Sequence, residues 1–135
     1  MTISGYFVSK QFLERSYAPI FVKDMSGIYR YCNNAFADYL GLTKKDIIGK
    51  TAYDIFPKNL ADIYTARDEA LFTTASRKGV TKEDVRLFSH INDGVFNKTI
   101  IYENNEIAGF LCMINLHKVN LHRNAAEELK KLTHR

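Results

Sequence analysis

The sequence predicts an α+β fold: a five-stranded antiparallel sheet with short helices across one face, plus N-terminal and C-terminal flanking helices. Three observations predict it. Two short apolar runs, Ile20-Phe21-Val22-Lys23-Asp24 and Ile28-Tyr29-Arg30-Tyr31-Cys32, stand on either side of a Met25-Ser26-Gly27 turn. Gly41, Gly49 and Pro57 then break residues 33–58 into helical fragments too short for a bundle. From Gly79 onward, strand-like runs are separated by two turn signals, Asn92-Asp93-Gly94 and Asn104-Asn105.

Each element has its own justification. Ile3, Phe7 and Phe12-Leu13 recur at roughly helical intervals, so Ile3 to Tyr17 reads as an amphipathic helix outside the main fold. Pro19 closes it, because the residue before a proline is pushed out of the α region. Asn33-Asn34 can cap a helix over Ala35 to Leu40, which Gly41 stops. Thr43-Lys44-Lys45-Asp46 has the hydroxyl and carboxylate spacing of a capping box and opens a second short helix. A further turn from Tyr53 to Phe56 ends at Pro57.

Asn59 to Ser76 is the one substantial helix. Leu60, Ile63, Tyr64, Arg67, Leu71 and Thr74 fall on the face expected to pack, with Asp62, Asp68 and Glu69 on other faces. Thr81 to Ser89, Val95 to Tyr102 and Ile107 to Leu116 read as three strands. The last is the most apolar stretch. Alternation puts Phe110, Cys112, Ile114 and Leu116 on one face and Leu111 and Met113 on the other, so both faces need cover. Asn120 to His134 is helical by propensity, with His122, Ala125, Leu129 and Leu132 in a heptad-like row open to either a solvated linker or a coiled-coil seam. No cap or glycine ends it, so a helix continuing into further sequence is expected.

Bulk properties narrow the function. A chain of 135 residues points to one domain with a real core. Nine Phe and eight Tyr must share that core or line a cavity in it. No apolar run approaches the ~20 residues of a membrane span, and the first residues lack the pattern of a secretory signal. Of the formal charge of +4, residues 118–135 carry +3. The body therefore has no basic excess to form a nucleic-acid face, and a direct nucleic-acid partner is not expected. Cys32 and Cys112 sit in apolar contexts without CxxC spacing and read as reduced, buried thiols of a cytoplasmic protein. His90, His117, His122 and His134 lack metal-ligand spacing, and no metal is expected. The sequence has no Walker loop, G-x-G-x-x-G, HExxH, G-x-S-x-G or EF-hand loop, so no enzyme is expected.

The order of elements, read with particular residues, resembles a PAS domain. The likeness starts at Pro19-Ile20-Phe21-Val22-Lys23-Asp24 with Gly27. It continues through Tyr31-Cys32-Asn33-Asn34-Ala35-Phe36, where the family shows Tyr-x-Asn-x-Ala-Phe, and Gly41. Gly49-Lys50-Thr51, Asp54, Phe56-Pro57, Lys98, Asn104-Asn105-Glu106 and Ile107-Ala108-Gly109 complete it. It divides the chain into an N-terminal helix (residues 1–16), a sensory domain (17–118) and the start of a linker helix (119–135). One departure stands out. Relatives end the last strand with Asp-Ile-Thr, where this chain has Leu116-His117-Lys118.

The resemblance implies a cytoplasmic sensory or dimerising input domain ahead of an output such as a cyclase, kinase or transcription factor. Strand parity and the resemblance together place Phe21, Tyr29, Tyr31, Phe36, Tyr64, Phe110, Cys112 and Ile114 around an interior cavity, against the alternative that these side chains simply fill the core. Arg67 is expected either to orient a ligand head group or to form a salt bridge with a helix acid. The family's heme-binding members carry an axial histidine near the position of Asp68. Residues 59–76 contain no histidine, so heme is not expected. Flavin-binding photosensors hold their cofactor through a cysteine after the short helices. Gly49 to Lys58 has none, so covalently linked flavin is not expected either. A small organic ligand of unknown identity remains. The tail Glu127 to Arg135 resembles linkers leading into diguanylate cyclases, and similar tails precede kinases and helix-turn-helix regulators. The competing expectation is a ligand-free dimerisation module, with Phe7, Phe12, Leu13, Leu111 and Met113 at a homodimer interface.

Overall fold

A computed structural model of the chain describes the backbone of residues 2–3, 6–7, 9–77, 86–91 and 94–116, with side chains for 9–77 and 94–116. Its strands are β1 (Thr2–Ile3), β2 (Tyr6–Phe7), β3 (Ile20–Asp24), β4 (Tyr29–Cys32), β5 (Arg86–Ile91), β6 (Gly94–Glu103) and β7 (Glu106–Leu116). Its helices are α1 (Lys10–Arg15), α2 (Asn34–Leu40), α3 (Ala52–Ile55) and α4 (Lys58–Ala75), with a 3-10 turn at Lys44–Asp46. The expected exit helix and the start of the strand expected from Thr81 lie outside the described residues.

The strands form an antiparallel sheet in the order β2-β1-β6-β7-β3-β4, with β5 also paired to β6. The expected count of five does not hold, because the described residues give seven strands in the sheet. The two additions come from the N-terminal segment, read from sequence as one helix from Ile3. Only Lys10–Arg15 is helical, and Thr2–Ile3 and Tyr6–Phe7 pair with each other as strands. Ile3 meets Ile101 on β6, beyond the stretch Gly94–Thr99 that β5 occupies. An edge backbone can satisfy its N–H and C=O groups by adding a strand, which local helical spacing does not anticipate.

The hairpins follow turn chemistry. Asp24 Oδ1 accepts from the backbone N–H groups of Ser26 (2.8 Å) and Ile28 (3.1 Å), and Gly27 takes φ +80°. Asn104 and Asn105 both adopt left-handed φ (52° and 65°) to join β6 and β7, a conformation asparagine tolerates better than most residues. Gly109 is required by close approach. A Cβ there would lie 2.0 Å from the Lys23 carbonyl oxygen on β3.

The connecting segment is held by caps. Asn33 Oδ1 accepts from Phe36 N at 2.9 Å, and Gly41 closes α2 in the left-handed conformation. Thr43 with Asp46, and Thr51 with Asp54, form reciprocal capping boxes. This segment is fastened to the outer edge of β4, where Gly49 N donates to Tyr29 O (2.8 Å) and Tyr29 N to Lys50 O (2.9 Å).

Central strand β7 is covered on both faces. On the concave face Phe110, Cys112 and Ile114 pack with Phe21, Tyr29, Phe36, Phe56, Phe96 and Leu71, and Leu116 joins that cluster. On the convex face Leu111 packs with Leu13, Ile20, Val22 and Ile101, and Met113 lies beside them. Burying each large apolar side chain contributes about 1.5–3 kcal/mol. No helix among the described residues is long and apolar enough to cross a membrane.

Candidate functional site

The interior between the concave sheet face and α4 is an aromatic shell. Phe21 is central to it: its ring lies 4.7 Å from Phe36, 5.3 Å from Tyr29 and 5.9 Å from Phe110 between centroids. Tyr64 makes an edge contact with Phe56 at 5.0 Å and lies near-parallel to Phe96 at 6.5 Å. Phe21, Tyr29, Phe36, Phe56, Tyr64 and Phe96 line a partly open cavity of about 20 Å3, together with Leu40 and Ile114. That volume accommodates a single water molecule.

Charge enters this shell from three elements. Lys23 of β3 and Lys98 of β6 are 3% and 4% exposed, and Asp68 of α4 is 8% exposed. Lys23 Nζ donates to Asp68 Oδ2 at 2.9 Å, and Lys98 Nζ to Oδ1 at 3.4 Å. Both ammonium groups also lie against aromatic rings, Lys23 over Tyr29 at 4.8 Å and Lys98 over Phe110 at 5.5 Å. Burial pulls the Lys23 ammonium below its ordinary pKa, and the Asp68 carboxylate opposes that shift. Burial raises the Tyr29 and Tyr64 hydroxyls and pushes the Cys112 thiol up to about 12, so all three stay protonated at neutral pH.

A second space adjoins the first. An outer cleft of about 200 Å3 lies between the β3–β4 turn, α3 and α4, lined by Met25, Ser26, Thr51, Tyr53, Thr65 and Phe72. Lys23 and Asp68 line both spaces, so their ion pair stands between cleft and cavity.

Among the residues expected around the cavity, Phe21, Tyr29, Phe36, Tyr64 and Ile114 line it. Phe110 and Cys112 belong to the same concave cluster without lining the space. Tyr31 is on the opposite face, packed with Leu13, Val22 and Leu111, its hydroxyl turned toward the Glu14 carboxylate. Simple alternation put Tyr29 and Tyr31 together. The register of β3 against β4 shifts between Val22 and Lys23, where Val22 pairs with Tyr31 but Lys23 with Tyr29, and this reverses the parity.

Arg67 is half-buried and does not line the cavity, and its Nη1 has no hydrogen-bond partner. The inward face of α4 runs through Leu60, Ala61, Tyr64, Asp68, Leu71, Phe72 and Ala75, so Leu60, Tyr64 and Leu71 of the expected face pack against the core and Asp68 joins them. Ile63, expected inward, is 46% exposed. The reason is electrostatic: a hydropathy pattern assigns an aspartate to solvent, and here two buried lysines on other strands draw it inward. Lys23, directly after the apolar Ile20-Phe21-Val22 of β3, is a sequence signal that could have pointed to such a partner.

The proposed interface residues are divided. Leu13 and Leu111 are buried within the chain's own convex cluster, Met113 is half-buried beside it, and Phe12 is 63% exposed. The side chain of Phe7 lies outside the described residues. No group of three or more metal-ligating side chains occurs among the described residues.

A family model for the PAS fold matches residues 13–87, more than half of the chain. No curated protein matches. Solved structures share the fold at low identity. A PAS domain of a Colwellia psychrerythraea protein matches with TM-score 0.55 and 14% identity, over 79% of this chain and 92% of that one. The PAS domain of Bordetella pertussis BvgS matches with TM-score 0.51 and 20% identity, over 90% and 93%. The VqmA–ligand–DNA complex of Vibrio cholera gives TM-score 0.60 and 18% identity over 82% of this chain, which spans about half of that protein (51%). The chain belongs to the PAS fold family, whose members are general sensory and signalling modules.

Proposed function

We propose that this domain is a cytoplasmic sensory input module that binds a small organic ligand inside the aromatic shell and relays its occupancy through the residues after β7 to a C-terminally attached output domain. The observation that carries this reading is the placement of Lys23, Asp68 and Lys98 in the interior. A core built only for stability does not need three charges there. Replacing a buried ion pair by packed apolar groups is often neutral or stabilising, whereas a few placed polar groups in an aromatic wall are what orients a ligand. The likeness to VqmA, a protein solved with a ligand and DNA, supports the same reading. Strand β7 supplies Phe110, Cys112 and Ile114 to this interior cluster and leads into the tail, so a shift of the wall shifts the start of that tail. A ligand biases such an element only by as much as it prefers one of its two states. A diguanylate cyclase is the output we favour, over a kinase or a transcription regulator, from the resemblance of the tail alone.

One observation favours the second reading, a ligand-free dimerisation module: the inner cavity is only about 20 Å3. On that reading Phe12 and the half-buried Met113 lie at the homodimer interface. Native mass spectrometry of the purified chain separates the two. A retained small molecule supports sensing, and a ligand-free dimer supports the structural role.

A further inference from the structure

The interior charges do not balance. Among the described residues two ammonium groups face one carboxylate, and all three residues are more than nine-tenths buried. The two contacts are also unequal. Lys23 meets Asp68 at 2.9 Å, the length of a charge-assisted bond, while Lys98 reaches the other carboxylate oxygen only at 3.4 Å. An ammonium has three N–H donors, and beyond this long contact Lys98 is met by the face of Phe110. An excess positive charge in a low-dielectric interior is costly unless an anion accompanies it.

Resting on the sensory reading above, we infer that the cavity takes a small monoanion: a carboxylate or comparable acidic group on a flat apolar body, with the anion on Lys98. The chemistry of the walls supports both halves of that description. Phe21, Phe36, Phe56, Tyr64 and Phe96 present aromatic faces suited to a planar body. Lys98 supplies donors that no other described residue fills, and Asp68 repels an anion from the α4 side, which directs the acidic group toward β6.

Size is set by the second space. The inner cavity has room for one water, but beyond the Lys23–Asp68 pair lies the cleft of about 200 Å3. An anion on Lys98 that also draws Lys23 off Asp68 loosens this shared wall and joins the two spaces. A single ring with one acidic substituent then fits.

The test uses the full 135-residue chain and three single-ring probes of similar size, benzoate, benzamide and benzylammonium, at equal concentration and ionic strength. The expected result is a rise in melting temperature with benzoate alone, lost in Lys98→Met and kept in Lys98→Arg. A comparable rise with benzamide or benzylammonium overturns the charge assignment and leaves the sensory reading standing. Retention of the benzoate shift in Lys98→Met overturns it as well. No shift with any probe also overturns it, while the native mass spectrum decides the sensory reading separately. Should Lys98→Met not fold, amide resonances of the wild-type chain give the answer. Benzoate must move those around Lys98 on β6 and Asp68 on α4, and shifts confined elsewhere overturn the inference.

Discussion

Lys23 Nζ meets Asp68 Oδ2 at 2.9 Å, joining β3 to the middle of α4 across 45 residues of sequence. Lys98 approaches the same carboxylate from β6. One aspartate thus ties both halves of the sheet to the longest helix.

Removing that tie from one side alone leaves two ammonium groups buried. Asp68→Leu is expected to lower stability by about 3–5 kcal/mol in urea unfolding, because the lysines lose their counter-ion. The triple variant Lys23→Met/Asp68→Leu/Lys98→Met removes every charge together and is expected to regain most of that loss. A triple variant no more stable than Asp68→Leu would show that the loss comes from packing rather than from charge.

Asn33 is fully buried and joins four segments. Its Oδ1 accepts from Phe36 N and Ile20 N, and its Nδ2 donates to the carbonyls of Leu13 and Ala18, all at 2.9–3.0 Å. Asn33→Ala abandons two donors and two acceptors in the interior and is expected to cost about 3 kcal/mol or more. Asn33→Asp keeps the acceptor for the cap of α2 and loses the two donations that hold α1, through Leu13, and the linker after it, through Ala18. Proteolysis after Arg15 should therefore accelerate in Asn33→Asp while the main unfolding transition survives.

Gly109 within β7 and Gly27 in the β3–β4 turn should respond differently to an added methyl group. Gly109→Ala drives a methyl group into the β3 backbone and is expected to abolish the cooperative thermal transition. Gly27→Ala meets nothing within 4 Å, so its cost is the left-handed φ alone, roughly 1 kcal/mol. Equal effects of the two changes would contradict this ordering.

Alkaline pH should weaken the fold. Burial pushes the Cys32 thiol to about 11 and Cys112 to about 12, and raises Tyr29 and Tyr64. Groups whose pKa is higher in the folded state give stability that is complete below their unfolded values, near 9 for thiols and 10 for tyrosines, and lost as pH climbs through the folded values. Lys23, shifted downward, acts in the opposite sense below 10.5, but the raised groups outnumber it. Urea midpoints are expected to fall from pH 9 to pH 10.5, by about 1.4 kcal/mol per pH unit for each group released on unfolding. The Cys32→Ala/Cys112→Ala variant should show a shallower fall, and an identical slope would remove the thiols from this account.

Much of the fold was legible because it rests on local chemistry. Asn33, Gly41 and the Thr43–Asp46 box marked the short helices, and Asn104-Asn105 marked the last hairpin. Alternation along 107–116 correctly separated Phe110, Cys112 and Ile114 from Leu111 and Met113. Five of the nine cavity candidates line the space. Tyr31 failed because a bulge between strands is a property of the pairing, which no run of residues in one strand encodes.

The amino-acid order by itself determined where strands and helices begin and end in the body of the domain, since caps, turns and period-two patterns act over a few residues. Tertiary structure alone decided that Asp68 turns inward, that β1 extends the edge of β6, and that Lys23 and Lys98 converge on one carboxylate. The physical reason is range. A buried charge is tolerated only beside its partner, and these partners lie 30 and 45 positions away along the chain, brought together only when the sheet has formed.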